Sequence, residues 1–469
     1  MTQIFTDHLD RLIRLQRAAH LRDIPCASIR QNRLLRAAAM LVDSVDAIAA
    51  AVSEDFGNRS VDETKFETFG AVAALRNAAG HVESWMAPTE HAPLAPDAKA
   101  WVEHVPLGVV GVIGPWNYPI MTVFGPLAGI IAAGNRAILK PSEFTPRTNE
   151  LLHKLIAERF EPTEIALVEG GAAEAAIFAA APFDHLIFTG SASVARHVMA
   201  AAASNLTPVT LELGGKSPVV VEDGYDLGEA ASRLMAVKLR SAGQICLAPD
   251  YALVPAGSER AFAEHCVAAG RRMYPEGLAS TDYTSIINDA HYARLKRLVD
   301  DARARSGEVI NIFTPGRALR ARSMMPAVIL HTQQDMLAMQ DEIFGPVLPI
   351  VGYENIDDAI AKIRTGTAPL ALYYFGTDEH RIRRVLNGTA SGGVTINDVM
   401  THMYVDDLPF GGIGQSGTGA YRGETGFRNF SHARAIYRQT DMQDMVTLFH
   451  PPYSDQYRAF VSAALAGAT

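Results

Sequence analysis

Residues 104–139 have the sequence HVPLGVVGVIGPWNYPIMTVFGPLAGIIAAGNRAIL, and they set the architecture of the chain. No Asp, Glu, Lys or Arg occurs between His104 and Asn135, a pattern that by itself would favour a membrane span. Prolines and glycines, however, divide this run into short pieces. The pattern therefore predicts a buried strand at Val109–Ile113, a turn and a buried helix at Ile120–Ala133, with no membrane span.

Short apolar runs alternate with helical stretches after this segment. We predict buried strands at Ala137–Leu139, Ile165–Val168 and His185–Phe188, and helices at Thr145–Arg159 and Glu174–Ala180. Strand, helix and strand at this spacing favour a parallel sheet with right-handed crossovers, and so an α/β fold. A second such block, from Pro218 to about Val399, has predicted strands at Val219–Val221, Tyr251–Val254, Ala327–Leu330 and Leu348–Val351.

The part of the chain before residue 104 is predicted to be helical up to a proline break. Apolar residues recur at helical spacing through Ile29–Val52. Pro88, Pro93 and Pro96 then interrupt the pattern within nine residues.

Composition excludes several classes of function. The 469 residues carry a net charge of −9, and the basic residues are spread along the chain, so we expect no nucleic-acid partner. The three cysteines, Cys26, Cys246 and Cys266, are odd in number and not closely spaced, so they do not make a disulfide framework, and no CxxC or Cys/His cluster has metal-ligand spacing. With no apolar leader at the N-terminus, the reducing cytoplasm is the expected compartment.

One cysteine lies in a distinctive setting. Cys246 belongs to the run LRSAGQICLAPD at 239–250, and it follows Glu212 of LELGGKSP, residues 211–218, by 34 positions. A thiol becomes a competent nucleophile where positive potential or backbone N–H groups lower its pKa. A lone cysteine is more often a small buried apolar residue, and we assign Cys26 and Cys266 to that class.

Seven motifs in a fixed order extend this observation over nearly the whole chain, from about Leu15 to Tyr453. They are PWNYP at 115–119, LKPSE at 139–143, FTGS at 188–191, the glutamate run, the cysteine run, EIFGPV at 342–347 and PFGG at 409–412. Together they resemble the aldehyde dehydrogenase superfamily, in its class 3-like branch. The N-terminal helix and Pro451-Pro452-Tyr453 resemble the coniferyl aldehyde dehydrogenases of that branch.

The resemblance implies the catalytic roles. Cys246 would be the nucleophile that captures an aldehyde, and the Asn117 side-chain amide, with the backbone N–H of Cys246, would form the oxyanion hole. Glu212 would be the general base that activates water to hydrolyse the thioester. No metal is implied.

The resemblance also implies a nicotinamide cofactor, NAD with NADP possible. Lys140 and Glu143 would contact the adenosine ribose, while Gly190 and Ser191 would open a helix, Ala192–Ala203, towards the pyrophosphate. Glu342 and Phe344 would hold the nicotinamide side. Trp116, Ser142, Leu213 and Gly214 complete the expected cofactor set.

Three positions depart from the family pattern. Ala195 replaces the usual second glycine, and Ser241 stands where many relatives carry asparagine. Arg240 is an unusual charge so close to the nucleophile, and it either points outward or shapes the substrate entrance.

The expected substrate is a bulky or aromatic apolar aldehyde such as coniferyl aldehyde. An apolar tunnel would be formed by Trp116, Tyr118, Met121, Phe124, Met400, Met403 and Tyr404, although these residues could equally be core. The alternatives are a semialdehyde or fatty aldehyde, or a non-redox cysteine esterase that uses His265 or His402. A non-catalytic protein on this fold would lack the nucleophile, base or oxyanion donor, and none is missing.

The resemblance predicts the domain organisation. Residues 1–79 and 101–208 would form a Rossmann-like cofactor domain, and residues 209–400 an α/β catalytic domain. A small bridging and oligomerisation domain would combine 80–100 and 401–435, with a C-terminal tail at 436–469. The expected assembly is a homodimer.

Overall fold

The computed structural model describes residues 2–93, 97–314, 320–439 and 449–467. The helices are α1 (Thr2–Arg22), α2 (Ala27–Asp43), α3 (Val45–Phe56), α4 (Val61–Trp85), α5 (Met121–Ala132), α6 (Pro146–Arg159), α7 (Ala172–Ala179), α8 (Ala192–Ala203), α9 (Leu227–Lys238), α10 (Glu259–Met273), α11 (Asp289–Ala304), α12 (Leu337–Gln340), α13 (Ile356–Arg364), α14 (Glu379–Gly388), α15 (Gly423–Asn429) and α16 (Asp455–Ala466).

The strands form three separate sheets. They are β1 (Thr89–His91), β2 (Lys99–Pro106), β3 (Val109–Ile113), β4 (Arg136–Lys140), β5 (Ile165–Leu167), β6 (His185–Thr189), β7 (Val209–Glu212), β8 (Pro218–Val221), β9 (Tyr251–Pro255), β10 (Glu308–Asn311), β11 (Ala327–Leu330), β12 (Val347–Tyr353), β13 (Ala371–Phe375), β14 (Gly393–Ile396), β15 (Gly417–Thr418) and β16 (Ser431–Arg438). Pro96, from the predicted proline break, lies outside the described residues.

The first sheet has six strands in the order β15-β7-β6-β3-β4-β5. All neighbours are parallel except β15, which runs antiparallel to β7. Strand β3 is buried at every position, and α5 is buried along most of its circumference because α2, α4 and α15 pack around it. The predicted strand, turn and buried helix of residues 109–133 are therefore confirmed.

The second sheet has seven strands in the order β10-β11-β12-β9-β8-β13-β14. Only the β10–β11 pair is antiparallel. The four strands predicted for the second block correspond to β8, β9, β11 and β12. Both large sheets are covered by helices, as parallel sheets require, and the α/β fold class is confirmed.

A third, antiparallel sheet has the order β1-β2-β16. Strand β2 is continuous from Lys99 to Pro106, so the predicted boundary between residues 100 and 101 falls inside a strand. Strand β15 lies in the predicted bridging segment but pairs with the six-stranded sheet. The division into domains at the predicted residues stays a prediction. No helix within the described ranges has the length and apolar character needed to cross a bilayer.

Candidate active site

The site begins where parallel strands of the six-stranded sheet end. In such sheets, ligands bind beyond the carboxyl ends of the strands. Glu212 is the last residue of β7 and lies in register with Thr189, the last residue of β6. The next residue, Gly190, donates its N–H to the Glu212 carbonyl at 3.0 Å. This contact joins the FTGS segment (188–191) to the glutamate run (211–218) at one edge of the six-stranded sheet.

The cysteine lies after a left-handed turn. Helix α9 ends at Lys238, and Ser241, Ala242 and Gly243 then adopt φ values of 48°, 49° and 72°. Only glycine fits at 243, because a Cβ there would lie 2.4 Å from the Gly345 carbonyl oxygen. Two consecutive non-glycine residues in this region are strained, so the surrounding structure must hold the turn.

Gln244 holds this turn. Its side-chain nitrogen donates to the Ser241 carbonyl at 2.9 Å and to the Ser285 carbonyl at 3.1 Å. Its side-chain oxygen accepts from the Ile287 N–H at 3.0 Å. The family motif contains this glutamine, but the sequence analysis assigned it no role.

Asn117 lies against the same turn. Its side-chain amide nitrogen donates to the Gln244 carbonyl at 3.0 Å, across 127 residues of sequence, and the side chain is buried. The structure therefore brings the predicted oxyanion donor to the loop that carries Cys246.

Glu212 is a buried carboxylate with unused acceptors. Its exposed fraction is 2 %, and neither carboxylate oxygen has a hydrogen-bond partner among the described residues. Burial raises the pKa of Glu212 well above its usual range. A buried base without partners is available for a proton but costly to ionise.

Cys246 is partly exposed. Burial, together with the nearby Glu212 and Glu342 carboxylates, raises the pKa of Cys246, and the backbone amides of Cys246 and Leu247 oppose this rise. The net direction is opposite to the lowered thiol pKa expected from positive potential. The first physical reason is burial of the thiol, and the second is that the charged groups nearest the sulfur are the two carboxylates rather than a basic group.

A buried ion pair supports Asn117 from behind. Arg59, only 1 % exposed, donates to the Asn117 carbonyl and to the Glu67 carboxylate, the latter at 3.0 Å. The other Glu67 oxygen accepts from the Ile120 and Met121 N–H groups at 2.7 and 3.0 Å, at the start of α5. This pair was not predicted from the sequence, because charges on a helix usually face solvent.

Glu63, one turn earlier on α4, joins this support to the cysteine turn. It accepts from the Tyr118 hydroxyl at 2.9 Å, the Ser241 N–H at 3.1 Å and the Thr284 hydroxyl at 3.4 Å. The only sequence signal was the i, i+4 spacing of Glu63 and Glu67, which in most helices marks a solvated face.

The predicted adenosine-side residues lie at the ends of β4 and β6, which flank β3. Lys140 is buried, its ammonium donates to the Gly170 carbonyl at 2.9 Å, and burial lowers its pKa. Ser142 is also buried, whereas Glu143 is exposed. The exposed Ser191 caps α8 by accepting from the Val194 N–H at 3.4 Å.

The predicted nicotinamide-side residues also meet. A Cβ on Gly214 would lie 2.3 Å from a Glu342 carboxylate oxygen, so this carboxylate covers the glycine. The rings of Trp116 and Phe344 are 5.5 Å apart, edge to face. Burial, reinforced by Asp250, raises the pKa of Glu342 to about 8.

Leu213 completes this side by donating its N–H to the Ser416 carbonyl at 3.0 Å. Three features suit the phosphates and two riboses of a dinucleotide. They are the exposed N-terminus of α8, the exposed Glu143 carboxylate after β4, and the Glu342 carboxylate that faces Gly214. The residues present therefore fit the predicted cofactor.

An apolar cavity lies beside the cysteine turn. Its lining residues are Glu63, Phe66, Glu67, Phe69, Gly70, Ala73, Tyr118, Met121, Arg240, Met400, Met403, Tyr404, Asp406 and Arg422. Five of the seven predicted tunnel residues belong to it. Phe124 is core, with an exposed fraction of 1 %, and Trp116 packs on Phe344 and Phe56.

The histidines considered for an esterase lie elsewhere. His402 is hydrogen-bonded to the Thr395 hydroxyl at 2.7 Å, and His265 is exposed on α10. In the described residues, neither hydrogen-bonds Cys246.

Comparison with known proteins agrees with this arrangement. Residues 15–436 match the aldehyde dehydrogenase family. Coniferyl aldehyde dehydrogenase of a Pseudomonas species is 48 % identical over 97 % of this chain and 95 % of its own length. The substrate-bound structure of Staphylococcus aureus AldH matches with a TM-score of 0.91 and 34 % identity, over 97 % of this chain and 99 % of that chain.

A betaine aldehyde dehydrogenase from S. aureus, solved in complex with NAD⁺, has a TM-score of 0.84 and 27 % identity, over 92 % of this chain and 88 % of that chain. The matches identify an oxidoreductase that acts on aldehydes and uses NAD(P).

Proposed function

We propose that this chain, which belongs to the aldehyde dehydrogenase family, oxidises a bulky aromatic aldehyde to its carboxylic acid, with Cys246, Asn117 and Glu212 as catalytic residues. The observation that carries the proposal is the buried Glu212 carboxylate, whose oxygens have no partner among the described residues. Such a group needs a functional reason, because an unsatisfied buried carboxylate destabilises the fold.

The cycle begins when the Cys246 thiol loses its proton to solvent and the sulfur bonds to the aldehyde carbon, which turns the carbonyl oxygen into an oxyanion. An amide nitrogen carries two hydrogens, and one of those on Asn117 already binds the Gln244 carbonyl. The second, with the backbone N–H of Cys246, stabilises the oxyanion of the adduct. One such donor contributes roughly 3–4 kcal/mol of transition-state stabilisation.

Held by Glu342 and Phe344, a nicotinamide would accept the hydride from the adduct carbon; the carbon–oxygen double bond then re-forms, and Cys246 is left as a thioester. Glu212 then removes a proton from water, the hydroxide adds to the thioester carbon, and the carbon–sulfur bond breaks to release the acid. The raised pKa of Glu212 suits a base that works near neutral pH.

We further propose that NAD is preferred over NADP. The exposed Glu143 carboxylate can accept from ribose hydroxyls and repels a 2′-phosphate. The competing attraction of Lys140 for a phosphate is weakened, because its ammonium is buried against the Gly170 carbonyl.

The proposed assembly is a homodimer in the cytoplasm. Strand β16 is an edge of the three-stranded sheet, and in the described residues its outer side has no strand partner. Unpaired edges recruit a further strand or need cover, which a second copy would provide. A reducing compartment keeps the Cys246 thiol free.

The substrate proposal rests on the apolar cavity, with its methionine and aromatic walls, and on the relative named for coniferyl aldehyde. The test is a comparison of kcat/KM for coniferyl aldehyde, benzaldehyde, hexanal and succinic semialdehyde, followed by NADH absorbance with each cofactor. We expect coniferyl aldehyde to lead. A clear preference for succinic semialdehyde or hexanal would refute the aromatic assignment, and ester hydrolysis without NADH formation from any aldehyde would refute the redox assignment.

A further inference from the structure

The mouth of the apolar cavity is an exposed aromatic rim. Phe66, Phe69 and Tyr404 are 47 %, 64 % and 43 % exposed, whereas Met121, on the same cavity, is 8 % exposed. The Phe66 ring is stacked on Phe69 at 6.2 Å and meets Tyr404 edge to face at 5.7 Å. The cavity lies beside the turn that carries Cys246, and this rim is its exposed end.

Arg240 lies on the rim. Its guanidinium is 5.5 Å from the centre of the Phe66 ring, and it donates to the Tyr404 hydroxyl at 2.9 Å. Arg240 and Tyr404 also line a second, more polar cavity with Ser232, Arg233, Asp398 and Thr401. The guanidinium therefore marks the border between an apolar interior and a polar exterior.

The other charged groups of the cavity are already paired. Glu67 binds Arg59 and two backbone amides, and Asp406 lies 3.7 Å from Arg422. Glu63 accepts from three donors, and none of them is Arg240. Within the described ranges, no carboxylate oxygen lies within 4 Å of the Arg240 nitrogens.

Arg240 therefore has donors to spare. A guanidinium carries five N–H donors in a planar fork, and its one hydrogen bond among the described residues goes to a neutral hydroxyl. The aromatic rings beside it suit a flat ligand, and its open donors suit oxygen acceptors at the edge of that ligand.

Two kinds of acceptor could satisfy these donors: a carboxylate, or the ring oxygens of a phenol or methoxyphenyl group. The cavity lining already contains three carboxylates, Glu63, Glu67 and Asp406. A fourth would have to give up its hydration in this apolar setting, which costs a charged group more than a neutral one. As acceptors for Arg240, neutral or weakly acidic ring oxygens are therefore favoured over a carboxylate.

We propose that Arg240 is a specificity-determining residue, which binds the phenolic and methoxy oxygens of an aromatic aldehyde at the rim of the cavity. The Tyr404 hydroxyl orients the guanidinium for this contact. The inference rests on the proposed function, since it names the part of the aromatic aldehyde that this site recognises.

The test compares coniferyl aldehyde with cinnamaldehyde, which has the same carbon skeleton without the ring oxygens. For Arg240→Met, we expect the ratio of kcat/KM for coniferyl aldehyde to that for cinnamaldehyde to fall about 10- to 100-fold, the effect of a lost hydrogen bond to a charged group. Tyr404→Phe should lower the ratio less, because the guanidinium remains.

Arg233→Met is the matched control. Arg233 lines only the outer cavity and is paired with Glu229 at 2.9 Å, so its loss should leave the ratio unchanged. Thermal unfolding of each variant shows whether the folded state is retained, and a ratio of rate constants does not depend on the amount of active enzyme.

The outcomes separate the inference from the proposed function. If the wild type oxidises neither aromatic aldehyde, the proposed function fails. If the wild type uses both but Arg240→Met leaves their ratio unchanged, the specificity role is wrong while the function stands. If Arg240→Met lowers kcat/KM only for succinic semialdehyde, Arg240 binds a carboxylate and the inference is wrong.

Discussion

The cysteine turn and the adenosine edge of the six-stranded sheet differ in how they are held. The turn is fixed by buried groups: the Gln244 side chain makes three hydrogen bonds, and Asn117 adds a fourth. At the adenosine edge, Glu143 and Ser191 are exposed. The proposed catalytic groups are therefore positioned before any ligand binds, whereas the adenosine edge presents exposed groups whose hydrogen bonds a ligand would complete.

The physical basis is the environment of each contact. In a buried network every removed partner leaves another group unsatisfied, so the cost of a change is large. At an exposed edge, water replaces the lost partner. Substitutions should therefore have large effects at the turn and small effects at the edge.

Cys246→Ala gives the largest expected effect. Without the sulfur no covalent adduct forms, so NADH production from an aldehyde should fall on the order of 10⁴-fold or more. Cys26→Ala and Cys266→Ala are the controls. Cys266 is buried in α10 as predicted, whereas Cys26 is exposed, so its assignment as a buried apolar residue is wrong. Turnover near the wild-type rate in Cys246→Ala would refute the covalent mechanism.

Glu212→Gln should act on the second half of the cycle. Hydride loss precedes the water step, so we expect one burst of NADH and then a steady rate lowered about 100- to 10,000-fold. Stopped-flow absorbance separates the two phases. If the burst is lost as well, Glu212 acts earlier, by taking the thiol proton.

The same variant tests the pKa of Glu212. Burial raises this pKa in the folded state, so the contribution of Glu212 to stability should fall as pH rises above about 4.3, where the carboxyl of the unfolded chain ionises. A glutamine side chain cannot ionise, and the Glu212→Gln variant should therefore gain thermal stability over the wild type at pH 8 but not at pH 4. Equal differences at both pH values would contradict the raised pKa.

Arg59→Met tests the support behind Asn117. Removing one partner of a buried pair costs about 3–5 kcal/mol of stability, because Glu67 is left uncompensated. Arg147→Met is the matched control, since its pair with Glu54 is 59 % and 64 % exposed and should contribute at most about 1 kcal/mol. If chemical denaturation shows the same loss of unfolding free energy in both variants, the buried and exposed pairs do not differ in the expected way.

Glu143→Ala should give the smallest effect. Loss of one ribose contact at an exposed edge should lower the preference for NAD over NADP about tenfold, as measured by the ratio of kcat/KM for the two cofactors. Glu158→Ala, an exposed glutamate on α6, should leave the ratio unchanged. If the wild type has a higher kcat/KM with NADP than with NAD, the proposed role of Glu143 is wrong.

Strands β3 to β6, β8, β9, β11 and β12 of the large sheets were predicted, because each is centred on an apolar run, whereas β7, β10, β13, β14 and β15 were not predicted. Strand β2 was not predicted either, since Lys99 and Glu103 interrupt it and its partner β16 lies near the other end of the chain. The segments that meet at the candidate site were located by motif, but the left-handed Ser241 and Ala242 carry no turn signal. Arg59, Glu63 and Glu67 were missed because sequence gives the charge of a residue and not its burial.

For Arg240, the sequence showed its position along the chain but not its side-chain contacts. Its position next to the nucleophile was visible in the sequence, and both an outward and an entrance position were open. The structure places its guanidinium at the cavity rim with Phe66 and Tyr404. This contact depends on chain segments far apart in sequence, since Tyr404 follows Arg240 by 164 residues.

The pairing of β2 with β16 also constrains how the protein is made. Glu103 meets Arg434 at 2.8 Å across 331 residues, and β7, which ends at Glu212, receives its outer neighbour only from Gly417–Thr418. During synthesis, the sides of β2 and β7 that face β16 and β15 therefore stay unpaired until residues 417–438 have left the ribosome. Long-range pairing of this kind is slow and leaves nascent edges exposed to aggregation. The strand that carries Glu212 is thus among the last to be closed as the chain matures.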